Sequence, residues 1–344
     1  MPPSSATSSL THTWPEVSPA EVGLDADLLE AAYRHLREHV PHIDSLLIIR
    51  HGGLAFERYM RGMTPDRPHN LKSATKSITS LLVGIALATG DLGGLDEPLG
   101  YIMPEIFAGV TERARREITI RHLLTMRSGL AWDEYGASAI AMTASPDWVR
   151  YVLEQPLAHP PGTHFNYSTG DTHLLAAALQ KLTGMALSEY AALYLFAPLG
   201  ITRYAWPADP QGVTIGGAEL SLTPRDLARI GYLALRGGKW GEETLLPADW
   251  IAESQRTHVP LASDESCAGL GYGYLWWVRL QAGYDSALAV GYGGQFAILV
   301  PALDLLVVMT GDLSAVPPAF RNNQMLCGFN LVEDFIVPAA LAHA

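Results

Sequence analysis

Two short apolar runs near the N-terminus, residues 45–50 and 54–60, flank His51-Gly52-Gly53. They read as a β-hairpin, with strand-forming residues on both sides of a glycine-bearing turn. A lone hairpin is marginal in water and needs further strands or a helix to cover it. The next strand-like pattern begins only at residue 272. There, residues 272–279, 287–290, 295–300 and 305–310 follow one another with the close turn spacing of an antiparallel meander. The hairpin must therefore pair with a sheet made more than two hundred residues later, and this constrains the fold more than any other feature of the sequence.

The intervening chain has a different texture. Residues 95–222 carry helical periodicity and almost no strand signal. Thr119 caps a helix over 120–126 that Gly129 ends. Short helices are expected over 147–154, 172–183 and 188–196. Outside this stretch, an amphipathic helix spans 25–39, Thr223-Pro224 opens another to about residue 235, and a last apolar helix over 319–336 can cover the sheet. The expected fold class is α+β: an antiparallel sheet with flanking helices plus an inserted all-helical domain. The expected division is an N-terminal arm (1–20), an α/β domain (21–94 and 223–344) and a helical domain (95–222). No internal repeat is evident.

Hydrophobic residues make up 48% of the 344 and charged residues 17%, enough for a sizeable core. A net charge of −12 argues against nucleic acid or an anionic membrane as partner. The basic run Arg113-Ala114-Arg115-Arg116 reads as a solvated face. Cys267 and Cys327 form neither a disulfide framework nor a Cys-x-x-Cys metal site. No signal peptide or membrane span is read, so a soluble cytoplasmic protein is the expectation. The Asn166-Tyr167-Ser168 sequon is discounted on the same ground.

The chemistry-bearing stretch is residues 70–80, polar at its mouth and then apolar, as at a helix start. Ser73 and Lys76 are three apart and share a helix face. A serine hydroxyl is a poor nucleophile until a base takes its proton, and a lysine kept neutral can be that base. Alone the pattern is weak: with four Lys and 20 Ser in the chain, a chance Ser-x-x-Lys arises roughly one time in four. Its position strengthens it, because the stretch lies where the α/β part passes into the helical part, and clefts form at such seams.

Two further stretches could join it. Tyr167, in Phe165-Asn166-Tyr167-Ser168-Thr169-Gly170-Asp171, can present a phenol beside a helix start and move protons next to a lysine; a core tyrosine is the plainer alternative. Gly291-Tyr292-Gly293-Gly294-Gln295 opens a strand with glycines that admit a substrate close to the backbone. The Gln295 N–H there, with that of Ser73, could form an oxyanion hole; a simple tight turn is the alternative. Gly-x-Ser-x-Gly, His-Glu-x-x-His and Walker A patterns are all absent from the sequence. A Ser-His-Asp triad has no motif pointing to it.

The order Ser-x-x-Lys, a tyrosine loop, then a glycine-bearing strand resembles the serine β-lactamase and penicillin-binding-protein superfamily, in its class C-like esterase and 6-aminohexanoate-dimer hydrolase branch. Leu95-Asp96-Glu97-Pro98, the run from His122 to Leu130, and the run from Leu222 to Ala228 look like that branch too; the likeness covers about residues 20–335. It implies a β-lactamase/transpeptidase-like fold. By position, Ser73 would be the acylated serine, Lys76 its base and Tyr167 the second proton-transfer group. The backbone N–H groups of Ser73 and Gln295 would form the oxyanion hole, and Tyr292, Gly293 and Gly294 would stand where the family has Lys-Thr-Gly. No metal and no cofactor are implied.

Two departures bear on substrate. The family's Tyr-x-Asn reads Tyr167-Ser168-Thr169, and the lysine of Lys-Thr-Gly is Tyr292, which removes the cationic anchor for a substrate carboxylate. Both favour a neutral ester or a small amide over a β-lactam or D,D-peptide. Trp132, Asp133 and Tyr135 are expected in a substrate-facing loop, with core or lid packing as the alternative. The expected function is a serine hydrolase of the carboxylesterase or 6-aminohexanoate-oligomer amidase kind. A β-lactamase or D,D-peptidase is the alternative within enzymes, and a non-catalytic binding protein of the same fold is the alternative outside them. Oligomeric state stays open.

Overall fold

The computed structural model describes residues 14–261, 269–314 and 324–342. Cys267, most of the expected N-terminal arm (1–13) and the first residues of the expected last helix (319–323) lie outside the described residues. The amphipathic helix is α1 (Ala26–His39), capped by Asp25, whose carboxylate accepts from Asp27 N and Leu28 N. The hairpin is β1 (Ile43–Arg50) and β2 (Gly53–Tyr59). The later strands are β3 (Val259–Pro260), β4 (Gly271–Tyr272), β5 (Trp277–Gln281), β6 (Tyr284–Gly291), β7 (Gln295–Val300) and β8 (Leu305–Gly311).

They form one eight-stranded sheet in the order β2-β1-β8-β7-β6-β5-β4-β3. Strand β1 pairs antiparallel with β8, with Leu46 opposite Met309 and Ile48 opposite Val307. The hairpin thus finds its sheet through the last strand of the meander, as its marginal stability requires.

Both faces of the sheet are buried, which explains why the central strands read as continuous apolar runs rather than alternating ones. Leu46, Ile48, Val307 and Ile298 point to a core shared with α1 and the C-terminal helical run 324–341. Leu47, Ile49, Leu306, Val308 and Ala297 point the opposite way. There they meet α2 (Thr75–Thr89), α3 (Thr169–Thr183) and α4 (Pro224–Leu235) within one continuous core. The period-2 geometry of strands sorts neighbouring residues to these two cores.

Several local expectations change. The segment beginning at residue 70 is not yet helix: His69–Asn70 pairs as a short strand with Ser221–Leu222. A 3-10 turn over Lys72–Ala74 then precedes α2. The strand expected over 272–279 breaks between β4 and β5, where Leu275 takes φ of 62° and Gly273 N donates to Trp276 O. Helix α3 starts three residues earlier than expected because the Ser168 hydroxyl caps it, accepting from Asp171 N at 2.9 Å. The helix expected over 188–196 is Leu187–Ala191 continued as a π-helical turn, Ala192–Phe196. The basic run is only partly a solvated face: Arg113 is exposed, but the Arg115 guanidinium is largely buried and donates to the carbonyls of Leu153 and Gln155. From Trp14 onward the N-terminal segment is docked, with Trp14 buried edge-on against Tyr232 and Leu54 N donating to Pro15 O.

Helix α2 is buried on nearly all sides, and Gly84 is where it passes closest to its neighbour. A Cβ at Gly84 would lie 2.2 Å from Trp250 Cδ1. Alanine in a helix interior is favoured over glycine by about 1 kcal/mol. Overpacking a filled core costs about 1–3 kcal/mol. The clash should win: Gly84→Ala is expected to lower the Tm by several degrees in a thermal melt, and a raised Tm would show that the contact with Trp250 yields without strain.

Candidate active site

The turn that carries Ser73 is pinned from three directions. The Asn70 side-chain oxygen accepts from Lys72 N at 2.9 Å, and Asn70 Nδ2 donates to Glu219 at 2.6 Å. Lys72 Nζ reaches the same Glu219 at 3.1 Å. Leu71 N donates to Leu220 O at 2.8 Å. Lys72 sits in the left-handed region at φ of 49°, a strained conformation that persists because its neighbours over-determine it. The sheet closes the third side. Gly291, the last residue of β6, lies so near that a Cβ there would fall 2.1 Å from Leu71 O, so a glycine is required at the strand end.

Lys76 follows one turn later on α2, and its side chain is only 1% exposed. Its Nζ lies 3.1 Å from Ser73 Oγ, 2.9 Å from Thr169 Oγ1 and 2.8 Å from Gly217 O. Burial lowers the amine to about 8, while the negative charge of Glu134 pulls the other way. The Tyr167 ring lies against the amine, with Nζ 4.9 Å from its centroid. Burial holds the Tyr167 phenol well above its usual range, and a hydrogen bond with Ser73 partly offsets this. The phenol is therefore the neutral form at physiological pH. Its ring stacks on Trp277 and meets Tyr272 edge-on, at centroid distances of 5.5 and 6.1 Å.

The structure thus brings Ser73, Lys76, Tyr167 and Thr169 together. Gln295, the first residue of β7, is buried, and its side-chain nitrogen donates to Gly311 O at 2.6 Å. Gly293 and Gly294, between β6 and β7, both take positive φ (87° and 90°), the conformation that makes glycine the fitting residue in this hairpin turn. Tyr292 is half exposed. A cavity of about 360 Å³ lies beside this turn, its wall including Arg67, His69, Lys72, Tyr292, Gly293 and Gln295 but not Ser73, Lys76 or Tyr167. Trp132 does not face this cavity. It is buried, its ring lies under Gly170, and its indole N–H donates to Glu134 at 2.6 Å. Tyr135 is 85% exposed.

Two participants were not singled out from the sequence. Gly217 supplies a carbonyl to Lys76, and Glu134 accepts from Thr169 N at 2.7 Å and from the Thr169 hydroxyl. The signals were present as the Gly216-Gly217 dipeptide and as an acidic residue between Asp133 and Tyr135. Neither residue carries a motif that says which distant loop it will meet.

The chain is 26% identical over 253 residues to the 6-aminohexanoate-dimer hydrolase of Paenarthrobacter ureafaciens, covering 68% of this chain and 63% of that protein. It is 30% identical over 176 residues to Esterase EstB of Burkholderia gladioli, covering 45% of this chain and 44% of the other. The matched part is less than two thirds of the length of either relative. Among solved structures, the octameric penicillin-binding protein homologue from Pyrococcus abyssi superposes with a TM-score of 0.69 at 19% identity, covering 90% of this chain and 78% of that one. At that identity the likeness is one of fold. The Beta-lactamase family profile matches residues 34–323, and the chain belongs to that family.

Proposed function

We propose that this protein is a serine hydrolase that cleaves small esters or amides through an acyl-enzyme on Ser73. The observation that carries the reading is the Lys76 amine, buried and 3.1 Å from Ser73 Oγ. A lysine lowered to about 8 has roughly a tenth of its population neutral at pH 7, enough to act as a base. Lys76 takes the Ser73 hydroxyl proton as Oγ bonds to the substrate carbonyl carbon. The backbone N–H groups of Ser73 and Gln295 are the proposed donors to the resulting oxyanion. As the intermediate collapses, the bond to the leaving alcohol or amine breaks and Tyr167 supplies its proton. The phenol is replenished from the Lys76 ammonium. Water then bonds to the acyl carbon as Lys76 takes its proton, the bond to Ser73 Oγ breaks to release the acid, and Oγ takes the proton back from Lys76.

The substrate class rests on the two departures in the motif. Tyr292 stands at the strand where the family has a lysine, so the cationic anchor for a substrate carboxylate is lost at that position. Thr169 spends its hydroxyl on Lys76 and Glu134 rather than on a substrate amide. Both support a neutral acyl substrate. The names of the relatives, an esterase and a 6-aminohexanoate-dimer hydrolase, support cleavage of small esters and amides.

Incubation with a fluorophosphonate should add one phosphonyl group, located on Ser73 by mass spectrometry, and Ser73→Ala should abolish both the adduct and p-nitrophenyl ester turnover. An adduct elsewhere, or full activity in that variant, would overturn the assignment. The pH profile gives an independent check. The base must be deprotonated, so kcat/KM should climb roughly tenfold per pH unit below about 8 and level above it; a flat profile between pH 6 and 9 would exclude Lys76 as the base. A chromogenic cephalosporin should be turned over at least a hundredfold more slowly than the best small ester, and rapid cephalosporin hydrolysis would restore the β-lactamase alternative.

A further inference from the structure

We propose that Glu134 is a positioning residue that, through the Thr169 hydroxyl, dictates which side of the Lys76 amine faces Ser73. The inference rests on the Ser73–Lys76 reading above and follows from counting protons around one nitrogen.

A neutral amine has two N–H donors and one lone pair. For Lys76 to accept the serine proton, the lone pair must face Ser73 and both N–H groups must be used elsewhere. The two other neighbours are Gly217 O at 2.8 Å and Thr169 Oγ1 at 2.9 Å. The carbonyl can only accept, so it takes one N–H. The threonine hydroxyl is ambiguous. It can accept from Lys76, or it can turn and donate its own proton into the amine lone pair. In the second arrangement the hydroxyl competes directly with Ser73 for the base.

Glu134 removes the ambiguity. One carboxylate oxygen receives the Thr169 hydroxyl proton. The other accepts from Thr169 N at 2.7 Å and from Trp132 Nε1 at 2.6 Å. A carboxylate has no proton to give, so every bond runs toward it. The Thr169 hydroxyl must therefore accept from Lys76, and the lone pair is left for Ser73. Thr169 is also the first residue of α3, and an anion is favoured at a helix N-terminus.

The same donor count says what glutamine would do at this position. Two fixed N–H donors, from Thr169 and Trp132, converge on one oxygen. An amide NH2 cannot sit there, so the amide oxygen must. The NH2 is then turned to the Thr169 hydroxyl, whose proton is driven toward Lys76. Glu134→Gln should thus reverse the relay while keeping the shape of the side chain.

The test is the rate of Ser73 phosphonylation by a fluorophosphonate as a function of pH, read by mass spectrometry. The titratable groups around the amine are Glu134 behind Thr169, Tyr167 against it, Tyr272 behind Tyr167, and Asp171 in the first turn of α3. Burial pushes Asp171 up to about 7, and it also feels the Glu134 charge. Because Asp171 titrates in the same range as the rising limb, the plateau above pH 9 is the deciding readout. Removing the Glu134 charge should move the rising limb to lower pH, because that charge holds the Lys76 proton. Charge loss alone would therefore speed labelling at pH 6–7. Reversal of the relay predicts the opposite for the plateau above pH 9: a drop of at least tenfold in Glu134→Gln and in Thr169→Val. The double variant should be no slower than the slower single one, whereas Thr169→Ser, which keeps the hydroxyl, should stay within a few-fold of wild type. An unchanged plateau in Glu134→Gln, or additive losses in the double variant, would overturn the inference. If the wild-type enzyme itself fails to label at Ser73, the underlying hydrolase reading has failed instead, and the two failures are distinguishable.

Discussion

The burial of one amine organises this site. A charged ammonium taken out of water costs several kcal/mol unless it is paired and fully hydrogen-bonded. Lys76 is 1% exposed and has no carboxylate in direct contact among its hydrogen-bond partners, a carbonyl and two hydroxyls. The environment therefore shifts the amine toward its neutral form, down to about 8 from its ordinary value, and the neutral form is the one the proposed base needs. It also places heavy demands on the surrounding backbone. Gly217 O can reach the amine only because positions 216 and 217 lack side chains. A Cβ on Gly216 would fall 2.5 Å from Thr172 O, and one on Gly217 would fall 2.1 Å from Thr172 Oγ1. The loop bearing these glycines is pressed against the first turn of α3, and α3 in turn delivers Thr169.

The topology explains why these pieces meet. Ser73 follows the N-terminal hairpin, the tyrosine loop lies deep in the helical stretch, and the β6–β7 turn belongs to the C-terminal meander. Pairing β1 with β8 brings the hairpin and the meander into one sheet. The serine turn then comes to rest on Gly291 at the end of β6. On the same face of the sheet, α2 and α3 share the core that receives Leu47, Leu306 and Val308. Ser73 is thus clamped between a strand end and a helical layer. Neither would hold it without the long-range strand pairing that the hairpin needs for its own stability.

Most of this was legible in the sequence, and the parts that were not share a physical reason. The sheet, the pairing of its distant halves and the grouping of Ser73 with Lys76 rest on patterns that repeat along the chain or recur at fixed spacing. The false helix start at residue 70 arose because Asn70 and Lys72 are unremarkable in type; what bends the chain is an Asn70 side chain capping Lys72 N, held in place by Glu219 from far away. The break at Gly273 to Trp276 has a similar origin. It depends on a backbone contact from Leu275 N to Leu124 O in the helical part, which no local pattern announces. For Trp132 the sequence leaves a substrate-facing loop and core packing both open, and its ring packs under Gly170 while its N–H holds Glu134. Gly217 and Glu134 contribute one carbonyl and one carboxylate, groups too common to stand out until their partners are known.

The same residues give the departure at Thr169 a physical meaning. The resembled family has an asparagine there, and a side-chain amide carries its donor and its acceptor at fixed ends. Once an amide is oriented, its hydrogen-bond directions are settled. A threonine hydroxyl is a rotor, and the same oxygen both donates and accepts. Replacing the amide by a hydroxyl therefore loses directional information at the atom that touches Lys76. A carboxylate placed behind the hydroxyl restores it, because it can only accept. Glu134 is held in that place by two N–H groups that have no freedom to turn, the Thr169 backbone amide and the Trp132 indole. The threonine and the glutamate are therefore one device written at two distant positions, and either one alone would leave the lysine without a defined direction.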